Sequence, residues 1–159
     1  MKNVSILFLQ SVICIIGIVA IVFLIRMPML EGRAENLSLF KIYSDSFVLY
    51  GYVASIAFFI ALYKAIKLLT YIRQNKLFSQ GSVKTLRTIR YCAIALSVMV
   101  VLAAIYIKIF HDKDDDPAGF LGMSMVITFI AIAVATAVAV LEKILQNAID
   151  MKSENDLTI

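Results

Sequence analysis

Four apolar runs without a single Asp, Glu, His, Lys or Arg, at residues 4–25, 46–63, 91–107 and 117–141, dictate what this chain can become. Each is near or above the roughly 20 residues a helix needs to cross the hydrocarbon of a bilayer. In hydrocarbon every backbone polar group must be satisfied internally, which leaves helices as the solution for runs this long. The predicted fold is all-α: a polytopic membrane protein, a four-transmembrane-helix bundle with helices 2, 3 and 4 extending into the cytoplasm. The expected organisation is one four-span membrane domain over residues 1–159. Its spans lie at about 4–25, 46–66, 90–108 and 118–141, with a cytoplasmic loop at 67–89 and a cytoplasmic tail at 142–159.

Composition agrees. The chain is 62% apolar and 16% charged, with a mean hydropathy of +0.91, whereas a soluble domain is nearer half apolar and a quarter charged. Four spans within 159 residues leave no room for a separate soluble domain. A secretion signal is the competing reading of residues 4–25. Phe23, Leu24 and Ile25 run straight into Arg26 without a small-x-small cleavage site, so an uncleaved span is preferred. Met27-Pro28 is expected to end that helix, since proline disfavours helical geometry in the residue before it.

Charge sets the orientation. No acidic residue lies between Asp45 and Asp112, and Lys64, Lys67, Arg73, Lys76, Lys84, Arg87 and Arg90 crowd into one segment. Short basic loops stay on the cytoplasmic side and favour the anionic inner leaflet. With Lys2, Lys143 and Lys152 on that side too, both termini are expected in the cytoplasm, the protein being multi-pass in the membrane. Tyr43, Tyr50 and Tyr106 would mark the outer interface, and Tyr63, Tyr71 and Tyr91 the inner one. The net charge of +4 then follows from topology, and no direct nucleic-acid binding is expected.

Helical patterning continues past the second span through Ala65, Ile66, Leu69 and Ile72. Residues 74–78 break it, and Ser79 is the expected N-cap of the next helix. That helix carries Val83, Leu86 and Ile89 on one side and a stripe of Lys84, Arg87 and Arg90 on another. Beyond the fourth span, Leu141, Ile144, Leu145, Ala148 and Ile149 repeat at helical spacing, with Glu142, Lys143, Gln146 and Asp150 between them.

Chemistry-bearing groups are missing from the spans. Intramembrane catalysis or ion coupling generally needs an ionisable side chain at depth. The polar candidates are Gln10, Ser11, Ser55, Ser97, Ser124, Thr128 and Thr136, residues that usually bond a carbonyl one turn back or join helices. No catalytic residue, cofactor site or metal site is assigned, and the chain is read as not an enzyme. Cys14 and Cys92 face no oxidising compartment, and with the single His111 they form no ligand cluster. The acidic run 112–116 reads as a solvated, helix-capping loop, with weak cation binding as the alternative. Ala131, Ala135 and Ala139, one turn apart, permit close helix approach, as do Gly51 with Ser55 and Ala93 with Ser97. Packing within the bundle and a homo-oligomer seam both fit that spacing.

Leu77-Phe78-Ser79, then Ser82-Val83-Lys84-Thr85-Leu86-Arg87-Thr88-Ile89-Arg90-Tyr91, and the closing Glu154-Asn155-Asp156-Leu157-Thr158-Ile159 together resemble a bacterial four-span family. It is domain of unknown function 2975, whose members look like (I/L)FS, then (N)VK-x-LR-x-IGY, with a tail like END(L)TI. This chain departs with Ser82 and Arg90 where Asn and Gly are usual. The resemblance implies no enzymatic activity. It also implies, by gene neighbourhood, a cytoplasmic partner such as a helix-turn-helix regulator of the Cro/CI type.

The leading functional reading is a non-enzymatic inner-membrane regulatory or sensor protein whose cytoplasmic face, residues 64–90 and 141–159, binds a soluble regulatory protein. The candidate partner-binding residues are Lys76, Leu77, Phe78, Lys84, Arg87, Arg90, Glu154, Asn155 and Asp156. The basic stripe resting on anionic lipid is the simpler account of the same charges. The alternative function is a small transporter or immunity-type protein handling a peptide or other small ligand. A turn at Ser153, Glu154 and Asn155 is also expected, returning Glu154 and Asp156 to the basic helix and Leu157 and Ile159 to Leu77 and Phe78.

Overall fold

The computed structural model describes residues 2–30, 46–110 and 117–156, with side chains described over 4–26, 46–110 and 117–154. The described residues form four helices: α1 (Lys2–Leu30), α2 (Ser46–Arg73), α3 (Gln80–Phe110) and α4 (Ala118–Asp156). All four are long and apolar enough to cross a membrane. At 1.5 Å per residue, the 39 residues of α4 make a rod of about 58 Å, nearly twice the roughly 30 Å hydrocarbon thickness.

Helices pack chiefly on their neighbours in sequence. The α3–α4 contact is the largest, α2–α3 is intermediate and α1–α2 is smallest. Small residues line the largest of these contacts. Ala93 and Ser97 of α3 and Ala131 and Ala135 of α4 are all buried, so these backbones come close. Ala133 and Ala137 are exposed. The buried alanines therefore serve packing within the chain.

Large apolar side chains point away from the protein instead: Phe129 is 76% exposed, Met125 75% and Phe8 71%. Surface this apolar is stable only against lipid.

Polar groups in the apolar segments satisfy nearby carbonyls. The hydroxyls of Ser11, Ser55, Ser97, Ser124 and Thr136 donate to Leu7, Tyr52, Ile94, Phe120 and Ile132, each three or four residues back. Gln10 joins helices, its Nε2 donating to Thr70 Oγ1 at 3.2 Å and to the Ile66 carbonyl at 3.4 Å. Tyr50 donates from α2 to the Met99 carbonyl of α3 at 2.7 Å.

Helix α1 does not end at Met27-Pro28 but continues to Leu30. The break expected there is corrected by a local compensation. Pro28 has no N–H to give the carbonyl four residues back. That carbonyl belongs to Leu24, and the Tyr52 hydroxyl donates to it at 3.3 Å. A neighbouring helix supplies the missing donor, which is how prolines persist in membrane helices.

Candidate functional site

The best-packed region, the α2–α4 cap, lies where the C-terminal parts of α2 and α4 meet the start of α3. Val83 (2% exposed), Leu86 and Leu145 form its core, with Leu68, Leu77, Val138 and Ile149 packed around them. Ser82 is wholly buried.

The turn entering this region is specified atom by atom. Asn75 has a positive φ of 56°, its N–H donates to the Ile72 carbonyl, and the Lys76 N–H donates to that of Tyr71. These bonds form a Schellman cap, and asparagine is among the few residues apart from glycine that tolerate its left-handed position. Four residues later Ser79 Oγ accepts from the Ser82 N–H at 3.4 Å, the N-cap its sequence position predicts. The Ser82 hydroxyl also donates to the Lys76 carbonyl at 3.2 Å, tying the start of α3 to the loop. Gly81 leaves room for Tyr71: a Cβ there would meet the Tyr71 hydroxyl at 3.3 Å.

Between α3 and α4 sits a buried carboxylate. Glu142 is 6% exposed. Arg87 Nε donates to its Oε1 at 2.7 Å, and Arg90 Nη1 lies 3.0 Å from its Oε2. The second contact is short but off the donor direction, so Oε2 lacks an aligned hydrogen bond. Charge attraction holds Arg90 there, and its guanidinium also lies 5.1 Å from the Tyr91 ring centre. The cluster keeps a net charge of +1.

Comparison with known proteins agrees with this architecture. The model of the family "Protein of unknown function (DUF2975)" matches residues 30–159. This chain belongs to that family. Uncharacterized membrane protein YoaS of Bacillus subtilis is 38% identical over 161 residues, covering the whole of both chains. No solved structure matches. The DUF2975 assignment and the four apolar helices together make this a membrane protein of a family without an assigned activity.

The two positions read from the sequence as unusual for the resembled family both have structural uses. Ser82 fills the loop network, and Arg90 faces Glu142. Of the sequence-derived candidates, Lys76 and Lys84 are exposed, Leu77 is half-buried against the core and Phe78 is 62% exposed. Arg87 and Arg90 turn towards α4 rather than presenting a continuous outward stripe.

The expected turn at residues 153–155 is corrected: α4 continues as helix to Asp156. Glu154 is exposed and lies about 18 Å further along that helix than Glu142. Glu142, read from sequence as one of the polar positions between apolar ones, is instead the acid that meets the basic helix. A lone carboxylate just past a charge-free run, opposite two arginines three residues apart, was the available signal. Asn155 and Asp156 continue the helix, but their side chains, Leu157, Ile159 and the acidic run 112–116 lie outside the described residues. No group of three potential metal ligands occurs among the described residues.

Proposed function

We propose that this is a non-enzymatic, multi-pass protein of the bacterial inner membrane whose cytoplasmic end docks and regulates a soluble protein. The observation that supports this is the contrast at the α2–α4 cap. Its core is packed like that of a soluble domain, yet it presents Phe78 beside Arg73, Lys76 and Lys84, all exposed. An exposed apolar anchor with exposed cations near it in sequence fits an acidic amphipathic segment of a partner. The family resemblance makes a helix-turn-helix regulator the first partner to test.

Both termini would be cytoplasmic, in line with the positive-inside rule. Reporter fusions at each end check this, and an exported reporter at either end would overturn the topology. The docking reading is tested by purifying the solubilised protein with a helix-turn-helix regulator of the Cro/CI type. Wild type is expected to retain the regulator, while Phe78→Ala with Lys84→Glu loses it at unchanged thermal stability. Equal retention by the double variant, or none by wild type, would defeat the reading.

A further inference from the structure

Two lipid-facing grooves flank α3. The larger, about 480 Å³ and lined by Val53, Ile60, Tyr91 and Cys92 among others, lies against α2, and no charged side chain is in its lining. The other, about 340 Å³, lies between α3 and α4, and its lining includes Arg90, Ile94, Ser97, Ala135, Thr136 and Ala139. It exists because alanines occupy α4 where larger side chains would fill the gap. From Arg90 to Ser97 it runs about 10 Å along the helix.

At its mouth the Arg90 side chain is 27% exposed. Among the described residues its guanidinium donates no aligned hydrogen bond to protein; Glu142 holds it by charge alone. A guanidinium carries five donors suited to phosphate oxygens. Two arginines against one carboxylate also leave positive charge here.

We infer that the α3–α4 groove is a binding site for an anionic phospholipid, one acyl chain lying along Ile94, Ala135 and Thr136 and the phosphate taken by Arg90. Basic pockets between membrane helices on the cytoplasmic side bind anionic headgroups in this way. The carboxylate keeps Arg90 extended across the mouth of the groove, and Arg87 on its other oxygen offsets its charge.

The test is retention of lipid by the full chain in detergent, read by native mass spectrometry. Phosphatidylglycerol and phosphatidylcholine are offered with the same acyl chains. One basic contact near an anionic surface corresponds to a preference of about fivefold for phosphatidylglycerol. Arg90→Gln should abolish the preference, and Arg90→Lys should retain part of it. Thr136→Trp, an exposed position that fills the groove without touching the ion pairs, should weaken retention of both lipids. It also keeps the test valid if Arg90→Gln folds poorly. Equal retention of the two lipids by wild type, or a preference unchanged in Arg90→Gln, would overturn the proposal. So would Thr136→Trp binding as wild type does, or inorganic phosphate alone stabilising the protein as much as the lipid.

Discussion

The α2–α4 cap and helix α1 are held by different physics. At the cap, side chains such as Val83 and Leu86 are almost entirely enclosed by protein. Among the described side chains of α1 only Ile6 is buried. That helix touches α2 through a few contacts, among them the Gln10 and Tyr52 hydrogen bonds. Burying apolar surface stabilises a fold when the alternative is water. Between helices in lipid that drive is absent, and packing of small residues and interhelical hydrogen bonds take over. The comparison teaches that the specific structure of this chain is concentrated where it projects from its apolar segments, while α1 is positioned by lipid and a handful of bonds.

The largest break in that contrast should come from Val83→Asp. Burying an unpaired carboxylate at a 2% exposed site places it in the class of core lesions costing more than about 4 kcal/mol. Folded protein recovered from membranes should fall to near zero. Recovery at wild-type yield and melting temperature would show that the cap is not a packed core.

Glu142→Gln comes next. It leaves two arginines without their counter-charge, and a loss of about 1–3 kcal/mol is expected, seen as a lower melting temperature of the solubilised protein. Removing Arg87 as well should add less than in the wild-type background, because the interaction it makes has already been weakened. Strict additivity would break the assignment of Arg87 as partner.

A finer probe is the bond that lets α1 pass its proline. Tyr52→Phe should cost about 0.5–1.5 kcal/mol. Pro28→Ala restores an N–H for the Leu24 carbonyl, so the same Tyr52 change should then cost less. A double-mutant cycle reads the difference directly. Equal costs in both backgrounds would mean that the hydroxyl contributes nothing to relieving the proline.

Gln10→Leu should have the smallest effect, about 0.6 kcal/mol by the average for interhelical bonds in membranes. Hydrogen exchange should rise in α1 and in α2 near Thr70 and remain unchanged in α3 and α4. Spread of the effect to α4 would show that the two regions are coupled after all.

Sequence alone was enough for the helices, the break after Arg73 and the Ser79 cap, because each follows from local chemistry. It was also enough for the serines and Thr136, whose bonds fall on their own helix. What escaped it depended on other helices. Whether α1 ends at Pro28 turns on a tyrosine 24 residues away. The burial of Glu142 turns on the rotation of α4 against α3, and it leaves Leu141 and Ile144 exposed at 53% and 59% while burying Leu145. Helical periodicity identifies an apolar stripe but not which edge of it a neighbour covers. The expected tail contact paired the basic helix with acids that continued helix carries past it. The opposite charge was anticipated, but its position was not.

An unbroken helix of 39 residues is also a lever. Taking Ala135 as the fulcrum, a tilt of about 10° would swing the end at residue 156 through about 5 Å, one helical turn. Glu142 stands only about 10 Å from that fulcrum, so the same tilt would displace it by about 2 Å. That is enough to part it from Arg87 and Arg90. The ion pairs, together with Leu145 and Ile149 in the packed core beyond them, therefore resist such a tilt and keep the rod seated against α3.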